Sequence, residues 1–145
     1  MRIAVGSDHC GFSLKMEMLP WLREEYEVED FGCYSTEMAD FPVISQKVCD
    51  QIVSGKADRG IMFCSTGVGA CIACNKVKGI RAGLCHDIYS AHQCVEHDNV
   101  QVLCLGADIV GRHVVKEIIR AFLNAEFSTS EEFRARVRML DEMEK

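Results

Sequence analysis

Gly60-Ile61-Met62-Phe63-Cys64-Ser65-Thr66-Gly67-Val68-Gly69 is the stretch that decides the architecture. Four residues that do not alternate with polar ones suit a strand buried on both faces, as in a parallel sheet covered by helices. A thiol closes the strand, and Ser-Thr-Gly-Val-Gly leads into a short helix of small residues over about 70–77. Outward from this unit the same grammar recurs. Ile3-Ala4-Val5 runs into Gly6, Val28 to Phe31 into Gly32, Ile80 to Leu84 follows Gly79, and Val102 to Leu105 runs into Gly106.

Helical spacing fills the intervals. Leu14, Met18, Trp21 and Leu22 share a face, with Pro20 expected to bend or interrupt that helix near Met18. Ile44, Val48 and Ile52 form a second stripe after Pro42, and Ile88 to Glu96 is a less regular segment. Val114, Val115, Ile118, Ile119, Phe122 and Leu123 give the cleanest amphipathic pattern. A charged helix over about 130–145 follows, opening at Ser130 before two glutamates. Five strand–helix units predict a Rossmann-like α/β fold: a three-layer α/β/α sandwich with a five-stranded parallel sheet. The extra C-terminal helix exceeds what five units need and is free to reach a second subunit.

The chain has 145 residues, 48% hydrophobic and 26% charged, which predicts one globular domain over 1–145. Sixteen basic against 22 acidic residues leave a net charge of −6. That balance argues against a nucleic-acid clamp or an anionic-membrane binder, though not against a small anionic substrate. Apolar runs fall well short of the ~20 residues a membrane span requires. Met1 to Gly6 reads as a strand rather than a signal peptide. The nine cysteines are therefore expected to be reduced thiols in a cytoplasm.

Ligands of open parallel sheets bind beyond the carboxyl ends of the strands. That places Ser7-Asp8-His9, Gly32-Cys33-Tyr34, Cys64 to Gly69 and Cys85-His86-Asp87 around one opening. Glycines in the 64–69 loop let backbone approach a ligand, and free amides at a helix start favour an anion or developing oxyanion. The same helix start is expected to lower the pKa of Cys64. Asp8 and His9 could handle protons or hydroxyls, or Asp8 could simply cap a helix. Glu96-His97-Asp98-Asn99 stands instead at the entry to the fifth strand, where a solvated turn is the plain reading. Cys71-x-x-Cys74 lacks the second pair a zinc site needs, and His86, His92, His97 and His113 lack helical zinc spacing, so no metal site is predicted. Cys10, Cys33, Cys49, Cys85, Cys94 and Cys104 are read as small core or subsurface residues.

Taken together, Gly6-Ser7-Asp8-His9-x-Gly11, Asp40-Phe41-Pro42, the 64–69 loop, Ala73-x-Asn75-Lys76, Gly79-Ile80-Arg81-Ala82 and Glu96-His97-Asp98-Asn99 resemble the ribose-5-phosphate isomerase B / galactose-6-phosphate isomerase family. The resemblance runs from Ile3 to about Met139. It implies aldose–ketose interconversion of a sugar phosphate through a cis-enediolate, without cofactor or metal, in a homodimer or tetramer whose site lies at the subunit interface. By position it makes Cys64 the base between C1 and C2. The amides of Ser65, Thr66, Gly67, Val68 and Gly69, with the Thr66 hydroxyl, would hold the enediolate oxygens. His97 of a second subunit would open the sugar ring, and Asp8 would hold a substrate hydroxyl. His9 would contact phosphate or assist opening, Asn99 would orient hydroxyls, and Arg136 would bind the phosphate.

Departures from the family pattern concern the substrate more than the reaction. Asp108 and Glu132-Phe133 stand where phosphate-binding arginine and Arg-His are usual, Phe41 replaces a tyrosine and Val95 an arginine. Arginine suits phosphate through bidentate, charge-assisted bonds, so acids there weaken the expected grip. A phosphopentose is the first expectation. A hexose or tetrose phosphate (galactose 6-phosphate or allose 6-phosphate among them) or an unphosphorylated sugar comes next. A non-catalytic ligand-binding or regulatory subunit on the same scaffold is the alternative of a different class, and a nucleotide- or flavin-binding domain ranks low.

Overall fold

The computed structural model describes residues 1–144. In chain order the elements are β1 (Arg2–Ser7), α1 (Phe12–Glu25), β2 (Glu27–Asp30), α2 (Phe41–Val53), β3 (Arg59–Cys64), α3 (Val68–Asn75), β4 (Ala82–Leu84), α4 (Ile88–Asp98), β5 (Val102–Gly106), α5 (Arg112–Asn124) and α6 (Glu131–Glu142). All neighbouring strands are parallel, in the order β2-β1-β3-β5-β4. The three-layer sandwich, the five-stranded sheet and the extra C-terminal helix read from the apolar runs are thus present.

Alternation of side chains along each strand divides the core in two. Ile3, Val5, Ile61, Phe63, Leu103 and Leu105 face one side, packed with Leu19 and Leu22 of α1, Val95 of α4 and Ile118, Ile119 and Phe122 of α5. Ala4, Met62, Cys64, Val102 and Cys104 face the other, against Ile44 and Val48 of α2 and Ala70 and Cys74 of α3. Both faces are covered at the centre of the sheet, which is why β1, β3 and β5 are buried almost throughout, whereas the edge strands β2 and β4 are not.

One expectation about the helices is corrected: the interruption at Pro20. Pro20 does not interrupt α1, which runs through it from Phe12 to Glu25. A proline inside a helix costs about 3 kcal/mol. Burial of Met18, Leu19 and Leu22 at 2% exposure or less offsets that cost, since each such side chain contributes about 1.5–3 kcal/mol. The C-terminal helix packs within its own chain. It docks on α4, burying Val137 and stacking Phe133 on His97 at 3.9 Å between ring centroids.

Candidate active site

From β1 the chain steps outward to β2 on one side, then crosses to β3 on the other. The loops leaving β1 and β3 therefore diverge and open a crevice at the carboxyl edge of the sheet. Ser7 pairs with Phe63 in the register, so the next residue on each strand, Asp8 and Cys64, meets across that crevice. The Cys64 thiol donates to Oδ2 of Asp8 at 3.2 Å, and both residues are buried. The other carboxylate oxygen, Oδ1, accepts the Gly11 amide at 2.9 Å at the start of α1. Asp8 thus serves both as the helix-start acceptor and as the partner of the thiol. Gly11 is required here, because a Cβ would lie 2.1 Å from the Phe63 carbonyl oxygen.

The electrostatics of Cys64 reverse the sequence expectation. Burial pushes its thiol up, the Asp8 hydrogen bond and negative charge push it further, and the amides of Gly67 and Ala70 only partly oppose them. The loss of hydration and the carboxylate outweigh the helix start. At rest Cys64 is a thiol whose proton points at a carboxylate.

The following loop is built around Gly67, whose φ of +82° few side chains tolerate and whose Cβ would fall 2.6 Å from Leu84. Thr66 Oγ1 accepts the Val68 amide at 3.3 Å. A Cβ on Gly69 would meet the Phe41 ring at 2.7 Å, so that ring lies directly on the loop. From β5, Ala107 donates to the Cys64 carbonyl at 2.8 Å and Asp108 donates to the Ser65 carbonyl at 3.0 Å. The Ser65 hydroxyl in turn donates to Oδ2 of Asp108 at 2.6 Å. Asp108 therefore clamps the loop, a role invisible in the sequence because β5 and β3 are neighbours only in space. His9 is half-buried, with its Nδ1 accepting the Ala39 amide at 3.2 Å.

His97, Asn99 and Arg136 are elsewhere. Helix α4 leaves the carboxyl edge after β4 and ends at Asp98, just before β5 begins at the amino edge. A strand of this length spans roughly 16 Å, so His97 and Cys64 of one chain stand on opposite edges. Around His97 the structure gathers Phe133, stacked on the imidazole, and Arg136, whose guanidinium lies 5.9 Å from the Phe133 ring. Arg136 is held by Glu132 at 2.7 Å. Asn99 caps α4 with φ +50°, and its carbonyl accepts from Arg81 at 3.3 Å. Val95 is fully buried in the core and offers the site nothing. Of the arginines near the C-terminus, Arg138 pairs with Glu131, and Arg134 sits over Phe127 at 4.9 Å.

Cysteine placement corrects one more expectation: Cys10 is exposed, because the tight turn after β1 points it outward. Cys33, Cys49, Cys85 and Cys104 are buried and Cys94 is half-buried. Lys15 is a further residue the sequence did not single out. It is wholly buried, donating to Asp30 at 2.8 Å and to the Cys33 carbonyl at 2.5 Å. Only a Lys–Asp pair 15 residues apart could have hinted at it.

A thiol–carboxylate pair beside a glycine loop, at the opening of a doubly wound sheet, is an arrangement suited to proton transfer next to a developing oxyanion. Residues 3–140 match the family model described as Ribose/Galactose Isomerase. The chain is 42% identical to ribose-5-phosphate isomerase B of Escherichia coli, over 87% of this chain and 85% of that one. It is 41% identical to D-erythrulose-4-phosphate isomerase of Pectobacterium atrosepticum, over 88% and 85%. Its structure superposes on ribose-5-phosphate isomerase B of Clostridium thermocellum with a TM-score of 0.96 and 41% identity, covering 99% and 97%. Its class is thereby aldose–ketose isomerase, an enzyme. The chain belongs to the ribose/galactose isomerase family of sugar-phosphate isomerases. No helix among the described residues is long and apolar enough to cross a membrane.

Proposed function

We propose that the whole chain, as one isomerase domain, interconverts an aldose phosphate and a ketose phosphate through a cis-enediolate, with Cys64 as the base. The observation that carries the reading is the Cys64–Asp8 bond at 3.2 Å beside the glycine loop. The Gly67 and Ala70 amides favour the thiolate and the Asp8 carboxylate opposes it, so the thiolate forms as a substrate hydroxyl replaces the thiol as the hydrogen-bond partner of Asp8. The thiolate takes the proton from the carbon next to the carbonyl and returns it to the adjacent carbon. Between the two transfers the enediolate carries negative charge on its oxygens, where the amides of Ser65, Thr66, Gly67, Val68 and Gly69 and the Thr66 hydroxyl stabilise it. Asp8 and His9 also contact substrate hydroxyls or phosphate. This chemistry uses no cofactor and no metal.

His97 in the role of ring opener, with Asn99 orienting hydroxyls and Arg136 binding phosphate, requires a second subunit. Their position at the opposite edge of the sheet supports a homodimer or a tetramer in which each chain lends its amino-edge cluster to a neighbour's crevice. Exposed Val68, Ile72, Leu84, Ile88 and Tyr89 beside the crevice supply apolar surface for that contact. Nine free thiols support a reducing, cytoplasmic setting.

The substrate we favour is a phosphopentose of the ribose 5-phosphate/ribulose 5-phosphate type, named for the Escherichia coli relative. A tetrose phosphate is the second reading, favoured by the near-equal identity to the enzyme named for D-erythrulose 4-phosphate. The test is a panel of aldose and ketose phosphates and free sugars in deuterated buffer. Solvent deuterium should enter at C1 or C2 of one phosphorylated pair with the wild type and not with Cys64→Ala. Mixing Cys64→Ala with His97→Asn should restore part of the activity that each lacks, because a hybrid dimer holds one intact site. Exchange undiminished in Cys64→Ala would rule out the base, and mixtures without recovery would rule out the shared site.

A further inference from the structure

The turn after β1 brings together more than the isomerisation uses. Asp8, His9 and Cys10 each direct a metal-binding atom into one small volume: a carboxylate oxygen, a ring nitrogen and a thiol sulfur, all within 4.8 Å of one another. It is the only such convergence of three donors among the described residues. A fourth donor is adjacent, since the Cys64 sulfur stands 3.2 Å from Asp8 Oδ2.

We propose that this cluster is a binding site for a thiophilic divalent cation of the zinc(II) class, and that the ion acts as an inhibitor. Zinc bonds of about 2.0–2.3 Å to oxygen, nitrogen and sulfur place neighbouring ligands roughly 3.3–3.8 Å apart in a tetrahedron. Separations of up to 4.8 Å need to close by at most about 1.5 Å, to which the exposed Cys10 side chain can contribute by rotating about χ1. The donor set is mixed sulfur, nitrogen and oxygen, which suits zinc(II) and not magnesium or calcium. Asp108 and Glu17 line the same cleft as Cys10 and outnumber its one cation, Arg112. The Gly11 amide holds Oδ1 of Asp8 at 2.9 Å, giving the carboxylate a fixed orientation of the kind that supports metal ligands. On binding, the Cys10 S–H bond breaks, a sulfur–zinc bond forms and the proton passes to solvent.

Inhibition, unlike binding, rests on the proposed function, because the ion would occupy Asp8 and His9, which substrate needs. Cys10 has no part in that chemistry. Its replacement should therefore leave isomerisation intact and remove the sensitivity.

The experiment is a cobalt(II) titration of the full chain in chelator-free buffer, with zinc(II) as competitor, on the wild type, Cys10→Ser and His9→Asn. Wild type should take up cobalt(II) with near-ultraviolet thiolate charge-transfer absorption that zinc(II) abolishes. Cys10→Ser should at least halve the band, since Cys64 is the one other sulfur at the site, and both variants should bind zinc(II) about tenfold or more weakly. In parallel, zinc(II) should inhibit wild-type turnover competitively and reversibly with EDTA, and Cys10→Ser about tenfold less. A band that survives unchanged in Cys10→Ser, or no cobalt(II) uptake by the wild type, overturns the proposal. The absorption reads the site whether or not any sugar phosphate is turned over, so its failure is separable from failure of the isomerase reading.

Discussion

Cys64 and Asp8 are 56 positions apart in the chain and hydrogen-bonded at 3.2 Å, because β1 and β3 are parallel neighbours ending at the same level. The bond makes a carboxylate and a thiol share one proton's surroundings, and it holds the thiol protonated at neutral pH.

The first prediction is the pH dependence of this thiol. Its folded-state pKa lies above the ordinary thiol value of 9.0, so the rising limb of kcat/KM should be centred above that value. Asp8→Asn removes the anion that opposes ionisation and should move Cys64 downward. Alkylation of Cys64 by iodoacetamide, followed peptide by peptide with mass spectrometry across pH, reads that shift. An unchanged or higher midpoint in Asp8→Asn contradicts the account.

Lys15→Met leaves Asp30 and the Cys33 carbonyl without their buried cation. Breaking a buried pair in this way costs about 3–5 kcal/mol. Urea denaturation should show that loss, and Lys15→Met combined with Asp30→Asn should recover part of it. A single variant as stable as wild type would dismiss the ion pair as an anchor.

Gly11→Ala should be among the most damaging small substitutions in the chain. The new methyl group meets a backbone carbonyl, which cannot rotate aside, and the helix start must move with it. We expect a loss of about 3 kcal/mol or more. Gly111→Ala, with open space around its Cβ, should stay within about 0.5 kcal/mol of wild type. Equal effects at the two positions would refute the steric explanation.

Glu132→Gln releases Arg136 from its carboxylate at 2.7 Å. If Arg136 binds phosphate across a subunit interface, KM for the phosphorylated substrate should fall severalfold while kcat changes little. A KM that rises, or does not move, assigns Arg136 to the surface pair alone.

Strand, loop and helix could be read along the chain because the apolar runs at Ile61-Met62-Phe63 and Val102 to Leu105 and the glycines after them are local patterns, and burial on both faces leaves no other strand signature. The residues ringing the crevice were legible for the same reason: Asp8 and Cys64 each end a strand. Other features depended on distance in space. The pKa direction of Cys64 reversed because desolvation and Asp8, both products of tertiary packing, outweigh the local helix start. Pro20 is tolerated because the face beside it is buried against the sheet. Asp108 reaches Ser65, Phe133 covers His97, and Cys10 turns outward through contacts no periodicity encodes. The order of hydrophobic and glycine residues determines where strands end and hence which side chains surround the opening. Only the packed sheet decides which of those side chains touch, which lose water, and which, like His97, end on the far edge.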